Sequence, residues 1–159
     1  MRIPAALFPM ILALAACSGA APQRGDTPPH ETPMRVATYN TSLFSDEAGG
    51  LIRQLEGDDA HARKIAAVLQ KVRPDLVLLN EFDYDPAHRA ADLFQQRYLD
   101  VAQPGGGEPL RYTYRYLAPV NTGVPSGLDL DRNGSVGAQG RERGNDAWGY
   151  GLHPGQYGM

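Results

Sequence analysis

The clearest hydrophobic pattern lies in the central part of the chain. Leu76 to Leu79 is a continuous apolar run, which is typical of a strand buried on both faces. Upstream of it, Ile65, Val68, Leu69 and Val72 are spaced i, i+3, i+4 and i+7. That spacing predicts a helix with one apolar stripe.

A strand is also predicted before this helix. Residues 35–39 are β-prone, and the polar run Asn40-Thr-Ser is expected to end the strand. Asp58 or Asp59 can cap the helix, and Pro74 must stop it. The order strand, helix, strand predicts a parallel pair joined by a right-handed crossover, and therefore an α/β fold.

The patterns further along the chain are weaker. A second helix is predicted from about Pro86 to Tyr98, and its few apolar positions indicate a surface helix. Tyr112 to Leu117 alternates and predicts a third strand. Residues 121–158 are rich in glycine and have no period. A stretch of this length inside a domain is usually functional or poorly ordered.

Composition excludes few classes of protein. The 159 residues suffice for one domain, and the hydrophobic content of 42% is ordinary for a globular protein. A formal net charge of −3 gives no support for a generic nucleic-acid binder. It does not exclude a nuclease, because a metal ion and a local pocket can hold phosphate.

The first residues have the features of an export signal. Residues 1–16 combine Arg2 with a short apolar run, and small residues precede Cys17, the single cysteine. This resembles the lipobox of bacterial lipoproteins, which implies cleavage before Cys17, lipidation of it, and anchoring in the cell envelope, with Ser18 favouring the outer membrane. The alternative is a plain secretory peptide. Residues 17–33 are predicted to be a flexible tether.

Two oxygen-bearing side chains follow the two predicted strands. Asn40 ends the first and Glu81 ends the second, and open α/β sheets bind ligands beyond the carboxyl ends of their strands. Such oxygens suit a hard cation such as Mg²⁺. The plainer interpretations are a turn asparagine and a surface carboxylate. Asp83 and Asp85 are expected to be solvated rather than to support the metal ligands.

A second acidic group lies in the glycine-rich region. Asp129, Asp131 and Asn133 form the D-x-D-x-N-G opening of a calcium loop, but the twelfth position is Gly140 instead of glutamate. Two interpretations stay open. One is a polar turn-rich loop, and the other is a structural Ca²⁺ held by Asp129, Asp131, Asn133 and Asp146.

Because of these motifs, their order and their spacing, residues 34–159 resemble the endonuclease/exonuclease/phosphatase superfamily. The resemblance implies the N-terminal half of a DNase I-like four-layer α/β sandwich and Mg²⁺- or Mn²⁺-dependent phosphoester hydrolysis. Asn40 and Glu81 match the metal-binding and catalytic positions of the family, with Asn80 in place of the usual glutamine. The run 155–159 is similar to the start of the next core strand of the family.

The resemblance also implies catalytic residues that this sequence does not supply. The family uses a histidine, an Asp/Asn pair and a late Asp-His pair, whereas His30, His61, His88 and His153 are all expected to be solvated. The domain is therefore expected to be truncated at its C-terminal side, and the chain to be an incomplete copy.

Two functional hypotheses follow. The first is an envelope-anchored phosphodiesterase, nuclease or phosphatase acting on a phosphoester of unspecified type, with no protein partner indicated. The second is a non-catalytic extracytoplasmic lipoprotein whose calcium-binding glycine-rich loop binds a ligand or partner.

Overall fold

The computed structural model describes residues 33–158, which form two strands and four short α-helices. In chain order these are β1 (Val36–Leu43), α1 (Gly50–Glu56), α2 (Ala60–Val72), β2 (Leu76–Phe82), α3 (Arg89–Phe94) and α4 (Gly140–Asn145), and a π-helical turn, Gln95–Leu99, continues α3. The predicted signal peptide, Cys17, His30 and almost all of the tether lie outside the described residues. No helix in the described part is long and apolar enough to span a membrane.

The two strands pair in parallel, which confirms the predicted α/β fold class. Val36 lies opposite Leu76, and the register continues to Asn40 opposite Asn80. The strands join through α2, the crossover helix that the sequence predicts. β1 also continues past Asn40 to Leu43, so the expected break at Asn40-Thr-Ser is wrong, and a bulge takes its place.

Only one face of this sheet is covered in the described residues. Val77 and Leu79 pack against the core, whereas Leu76 and Leu78 are 58% and 46% exposed. The prediction that the run Leu76 to Leu79 is buried on both faces is therefore wrong. Successive side chains of a strand point to opposite faces, and the helices cover just one of them.

Helix α2 begins and ends as its sequence predicts. The Asp59 side chain accepts a hydrogen bond from the Ala62 amide at 2.7 Å, and Arg73 ends the helix before Pro74 with a left-handed conformation. The buried stripe is shifted by about one position from the predicted one. Ile65 and Leu69 are buried with Ala62, Ala66 and Gln70, while Val68 and Val72 stay exposed.

The remaining core comes from α1 and from α3 with its π-helical turn. α1 was not predicted, because seven residues hold only Leu51 and Leu55 as buried large side chains. α3 starts at Arg89, three residues after the predicted Pro86. It is not a surface helix, since Phe94 and Tyr98 are buried and Phe94 meets Phe82 edge-on at 5.8 Å between ring centroids.

The predicted third strand, Tyr112 to Leu117, is wrong. Tyr114 and Tyr116 are 91% and 89% exposed, and only Tyr112 at the start of this alternating segment packs against the core. Its polar groups bind helices instead. The Tyr112 amide donates to Gln95 Oε1 at 3.3 Å, and Arg115 pairs with Asp92.

Residues 121–158 fold back on themselves without a regular sheet. Isolated bridges join Thr122 to Gly149 and Pro125 to Ala147. The glycines allow close backbone approach: a Cβ on Gly123, where φ is +66°, would lie 1.9 Å from the His153 carbonyl oxygen. Close packing therefore explains part of the high glycine content of this region, whereas Gly127, Gly134 and Gly140 have open space around them and adopt positive φ. Periodicity reveals neither requirement.

Candidate functional site

A β-bulge shapes the sheet edge where both strands end. Asn40 pairs with Asn80 and Leu43 with Phe82, so Thr41 and Ser42 together face the single residue Glu81. The buried Thr41 hydroxyl lies 3.0 Å from the Asn80 carbonyl oxygen and 3.1 Å from that of Glu81. Bulges of this kind turn side chains out of the regular strand alternation.

The bulge brings the two predicted site residues to one point. Ser42 Oγ lies 3.1 Å from Glu81 Oε2 and 3.4 Å from Asn40 Oδ1, and the Ser42 amide donates to Asn40 Oδ1 at 3.2 Å. Asn40 is exposed and Glu81 half-buried. The result is a cluster of hard oxygen donors that solvent reaches, which fits the chemistry of Mg²⁺ or Mn²⁺. Ser42 was not identified from the sequence.

The backbone at this edge is strained. Glu81 has φ +53° and Ser42 has φ +48°, a left-handed conformation that non-glycine residues rarely adopt. Such residues cost roughly 1–3 kcal/mol each and persist where their surroundings over-determine them. Strain at two of the three residues of one small polar cluster is common at functional sites.

Asp83 follows Glu81 closely and is buried, so the expectation that it is solvated is wrong. Its carboxylate accepts hydrogen bonds from the Ser45 amide at 2.9 Å and the Tyr157 amide at 3.1 Å, and it lies 3.9 Å from His153 Nε2. Burial raises the pKa of Asp83, and the two amide hydrogen bonds oppose that rise. Asp85 is half-buried, and its carboxylate caps α3 through the Arg89 and Ala90 amides.

The glycine-rich region supplies the other side of this arrangement. His153 is buried, not solvated as predicted, and its Nε2 lies 3.0 Å from the Ser45 carbonyl oxygen. Gln156 is fully buried and donates from Nε2 to the same oxygen at 2.9 Å. Hence three side chains that are remote in sequence, those of Asp83, His153 and Gln156, all hold the backbone of Ser45.

The other histidines described lie elsewhere. His61 has an exposed side chain whose Nε2 is 2.8 Å from the Thr41 carbonyl oxygen. His88 is exposed and precedes α3 with φ +58°. Their exposure agrees with the sequence-based expectation, and His61 also supports the bulge from outside.

An aromatic contact covers part of the same edge. Phe44 and Tyr157 have ring centroids 4.5 Å apart, and Tyr150 stacks on Tyr157 at 6.4 Å. The pKa of Tyr157 is raised, mainly by burial and further by the negative charges of Asp46, Glu81 and Asp83. The Tyr157 hydroxyl is therefore in the electrostatic field of the acidic edge.

The second predicted acidic group also assembles. Asp129, Asp131 and Asp146 each offer a carboxylate oxygen, and these oxygens all lie within 4.8 Å of one another. Asp146 is only 2% exposed. Hydrogen bonds from backbone amides lower the pKa of Asp146. The Gly137 amide has the largest effect, and the Leu130 and Asp131 amides have smaller ones. This cluster could hold a metal ion.

Asn133 plays a different part from the three carboxylates. Its Oδ1 accepts hydrogen bonds from the Ser135 amide and hydroxyl at 3.0 and 2.9 Å. Its own amide donates to Asp129 and Asp131. The asparagine thus stabilises the turn that brings the carboxylates together.

Comparison with known proteins identifies the family. The model of the endonuclease/exonuclease/phosphatase family matches residues 37–159, a stretch that begins inside β1 and includes both acidic groups. No curated protein and no solved structure matched the chain. Members of this family generally act on phosphoesters with the help of a divalent metal ion. Since the match covers most of its length, the chain belongs to the endonuclease/exonuclease/phosphatase family.

Proposed function

We propose that the protein is a phosphoester hydrolase that uses Mg²⁺ or Mn²⁺ held by Asn40 and Glu81. The observation that carries this proposal is the convergence of the two side-chain oxygens on the Ser42 hydroxyl at the bulge. Family membership supports hydrolase chemistry in general, and phosphodiesterase, nuclease and phosphatase activities all fall within the proposal.

The residues at the bulge have distinct roles in this proposal. Glu81 supplies the negative charge that retains the cation, and Asn40 supplies a neutral oxygen. Ser42 orients both, because its hydroxyl and amide contact them directly. A divalent cation placed there would stabilise the charge that develops on a phosphoryl oxygen during transfer.

Replacing the charge at Glu81 tests the proposal. Glu81→Gln preserves shape and hydrogen-bonding capacity, so the loss of an electrostatic catalytic element should lower kcat about 100-fold or more. The measurement is hydrolysis of a chromogenic phosphodiester and a chromogenic phosphomonoester at limiting Mg²⁺ by a full-length version of the enzyme, which includes the second half of the family's fold. Asn40→Ala should have a similar effect, and excess Mg²⁺ should restore part of it.

A matched control separates chemistry from stability. Glu108→Gln makes the same change at an exposed position in the loop after the π-helical turn, and it should leave kcat and the melting temperature unchanged. Activity of Glu81→Gln within a few-fold of wild type at limiting Mg²⁺ would contradict the assignment of Glu81 to the metal.

We also propose that Cys17 anchors the protein by lipid to the bacterial cell envelope, on its outer membrane. The basis is the small-residue run before the single cysteine, and several acyl chains anchor stably where one does not. Cys17→Ser should move the protein from the membrane fraction to the soluble fraction or block its maturation. Unchanged partitioning, with no acyl mass on the wild-type protein, would contradict the anchor.

A second candidate function is favoured by the Asp129–Asp131–Asp146 carboxylates. In it the glycine-rich loop binds Ca²⁺ and presents a ligand- or partner-binding surface without catalysis. Calorimetric titration of Ca²⁺ into the wild type and into Asp129→Asn tests it, with Glu142→Gln as the control on the neighbouring exposed helix. Ca²⁺ binding that Asp129→Asn removes, in a protein with no Mg²⁺-dependent hydrolysis, would favour this candidate over the hydrolase.

A further inference from the structure

We propose that Asp83 is a positioning residue that fixes the Glu81 carboxylate for cation binding. The inference rests on the proposed function, in which Glu81 holds the metal. Asp83 does not face the cluster formed by Asn40, Ser42 and Glu81. It acts through the backbone on both sides of that cluster.

The first step of the argument concerns the chain on either side of Glu81. Before it, the Thr41 hydroxyl contacts the Asn80 and Glu81 carbonyl oxygens. After it, the Phe82 amide donates to the Gly158 carbonyl at 3.0 Å, and the Asp83 amide donates to the Leu43 carbonyl at 3.0 Å. Glu81 therefore keeps its left-handed conformation between neighbours that are held on both sides.

The second step concerns what the Asp83 carboxylate joins. One oxygen accepts from the amide of Ser45, three residues after Ser42, and the other accepts from the amide of Tyr157. A single side chain thus ties the end of β2 to the segment after β1 and to the glycine-rich region. With Asp83 in place, the bulge cannot relax on either strand without breaking one of these bonds.

The third step is that both backbone polar groups of the half-buried Ser45 are hydrogen-bonded. The Ser45 carbonyl oxygen accepts from Gln156 and lies 3.0 Å from His153 Nε2, while the Ser45 amide goes to Asp83. Both side chains are buried at 8% exposure or less. A displacement of Ser45 would therefore strain its hydrogen bonds to Asp83 and to the glycine-rich region.

Asp85 provides the comparison that separates positioning from ordinary structural support. Its carboxylate also accepts two backbone amide bonds, from Arg89 at 3.0 Å and Ala90 at 2.9 Å. Those amides belong to the start of α3 and not to the bulge. Asp83→Asn and Asp85→Asn therefore make the same chemical change at the same strand end, and only the first should disturb Glu81.

The test is Mn²⁺ binding by the intact protein, measured by titration calorimetry and electron paramagnetic resonance. Asp83→Asn replaces one acceptor oxygen with a donor and so breaks one of the two amide bonds. We expect it to weaken Mn²⁺ binding about 10- to 100-fold, the usual effect of groups that support metal ligands. Asp85→Asn should leave the affinity within about twofold, although it lowers the melting temperature.

A readout without metal accompanies the titration. In the metal-free protein, amide hydrogen exchange should speed up in Asp83→Asn at whichever of the Ser45 and Tyr157 amides loses its acceptor, and should stay unchanged at both in Asp85→Asn. If Asp83→Asn does not fold, Gln156→Met takes its place, because it leaves Asp83 intact and removes the side-chain bonds to Ser45 and Asp46, together with the one accepted from the Leu152 amide. A folded Gln156→Met with wild-type Mn²⁺ affinity would then overturn the inference.

The possible outcomes distinguish a failure of this inference from a failure of the proposed function. Wild-type protein whose Mn²⁺ binding does not depend on Glu81 refutes the proposed function. Binding that Glu81→Gln removes but Asp83→Asn leaves unchanged refutes only the positioning role. Equal losses in Asp83→Asn and Asp85→Asn would show that Asp83 merely supports the fold.

Discussion

Glu81 supplies the carboxylate proposed to bind the metal at the sheet edge, and its backbone conformation is unfavourable. At φ +53° its Cβ is close to the following carbonyl oxygen, which costs an L-residue roughly 1–2 kcal/mol. The hydrogen bonds of Thr41 and Asp83 around it offset that cost. The position of the carboxylate is thus maintained by its neighbours and not by the preferences of Glu81 itself.

This strain predicts an unusual order of stabilities at position 81. Glu81→Gly should be more stable than Glu81→Ala by about 1 kcal/mol, because glycine adopts positive φ without a steric penalty. Urea unfolding of the two variants measures the difference. At Asn80, on the regular part of the strand, the order should reverse, and the same order at both positions would show that the backbone at Glu81 is not strained.

Tyr112 provides a second prediction for a single residue, in alkaline solution. Burial raises its pKa to about 12 from 10.0, so the unfolded chain ionises first and stability falls as pH rises between these values. Two pKa units correspond to about 2.7 kcal/mol at about 1.36 kcal/mol per unit. Because Tyr112 is only half-buried, solvent screening reduces the loss to about 1–2 kcal/mol. Below pH 10 its hydroxyl bond to the Pro74 carbonyl at 3.0 Å favours the folded state.

Comparison with Tyr112→Phe tests whether ionisation of Tyr112 lowers the free energy of unfolding as the pH rises. The wild type should be the more stable protein at pH 8, by about 1 kcal/mol, and should lose this advantage as the pH approaches 12. Urea unfolding across the pH range measures both proteins, and the phenylalanine variant cancels the contribution of the other tyrosines. A constant difference between pH 8 and pH 12 would contradict burial of the Tyr112 hydroxyl.

Among the elements, α2 is attached to the π-helical turn by one buried amide. Gln70 is 1% exposed, and its Nε2 donates to the Leu99 and Val101 carbonyls at 3.0 and 2.8 Å. Its Oε1 accepts from the Gln103 amide at 3.0 Å. A single side chain thus satisfies three backbone groups where the chain leaves the helix.

Gln70→Leu should therefore destabilise the protein by about 2–4 kcal/mol. Although leucine is apolar and of similar size, it leaves the Gln103 amide without a partner, which costs roughly 1–3 kcal/mol. It also removes one hydrogen bond, worth about 0.5–1.5 kcal/mol, from each of the Leu99 and Val101 carbonyls, which keep the bonds from the Leu110 amide and the Gln103 side chain. Chemical denaturation gives the free energy of unfolding. Gln54→Leu on the exposed side of α1 should change it by less than about 0.5 kcal/mol, and a similar small effect at Gln70 would contradict the proposed attachment.

The elements that periodicity could predict are those whose neighbours cover one side of them continuously. α2 and the parallel strands follow from local spacing, an N-cap and a proline. α1 and the Tyr112 to Leu117 segment failed because their state depends on what packs against them, which local propensity does not specify. The exposure of Leu76 and Leu78 failed for the same reason.

The residues of the candidate site also fall into those that the sequence could predict and those that it could not. The approach of Asn40 to Glu81 could be predicted, since each lies near the carboxyl end of its strand. Asp83, His153 and Gln156 could not, because their roles arise from contacts with Ser45 and Tyr157 across 38 to 111 residues. No spacing rule connects a strand end with a glycine-rich loop so far away.

On the scale of the whole molecule, the sheet has one packed face and one open face in the described residues. Val36, Leu76 and Leu78 present apolar side chains on the open face, at 63%, 58% and 46% exposure. Contiguous apolar surface of this kind favours association. Its consequences should therefore appear in solution behaviour more than in the free energy of unfolding.

The double change Leu76→Thr with Leu78→Thr should raise the solubility of the 159-residue chain and reduce its binding of a hydrophobic dye. Threonine keeps β propensity, so the unfolding free energy should fall by less than about 1 kcal/mol. Leu79→Thr on the packed face should instead cost about 2–4 kcal/mol. Unaltered dye binding in the double variant would show that this face is not the apolar surface exposed to solvent.

The tie between Asp83 and Tyr157 also has a consequence for biosynthesis. These residues are 74 positions apart, so at roughly 5–20 residues per second the second is made about 4–15 s after the first. Both strands and α2 are complete before the glycine-rich region emerges from the ribosome. Asn40 and Glu81, the proposed ligands, are therefore synthesised early, whereas the contacts that surround Glu81 are complete only when the glycine-rich region packs on Ser45. We expect a divalent cation to bind tightly only after that step.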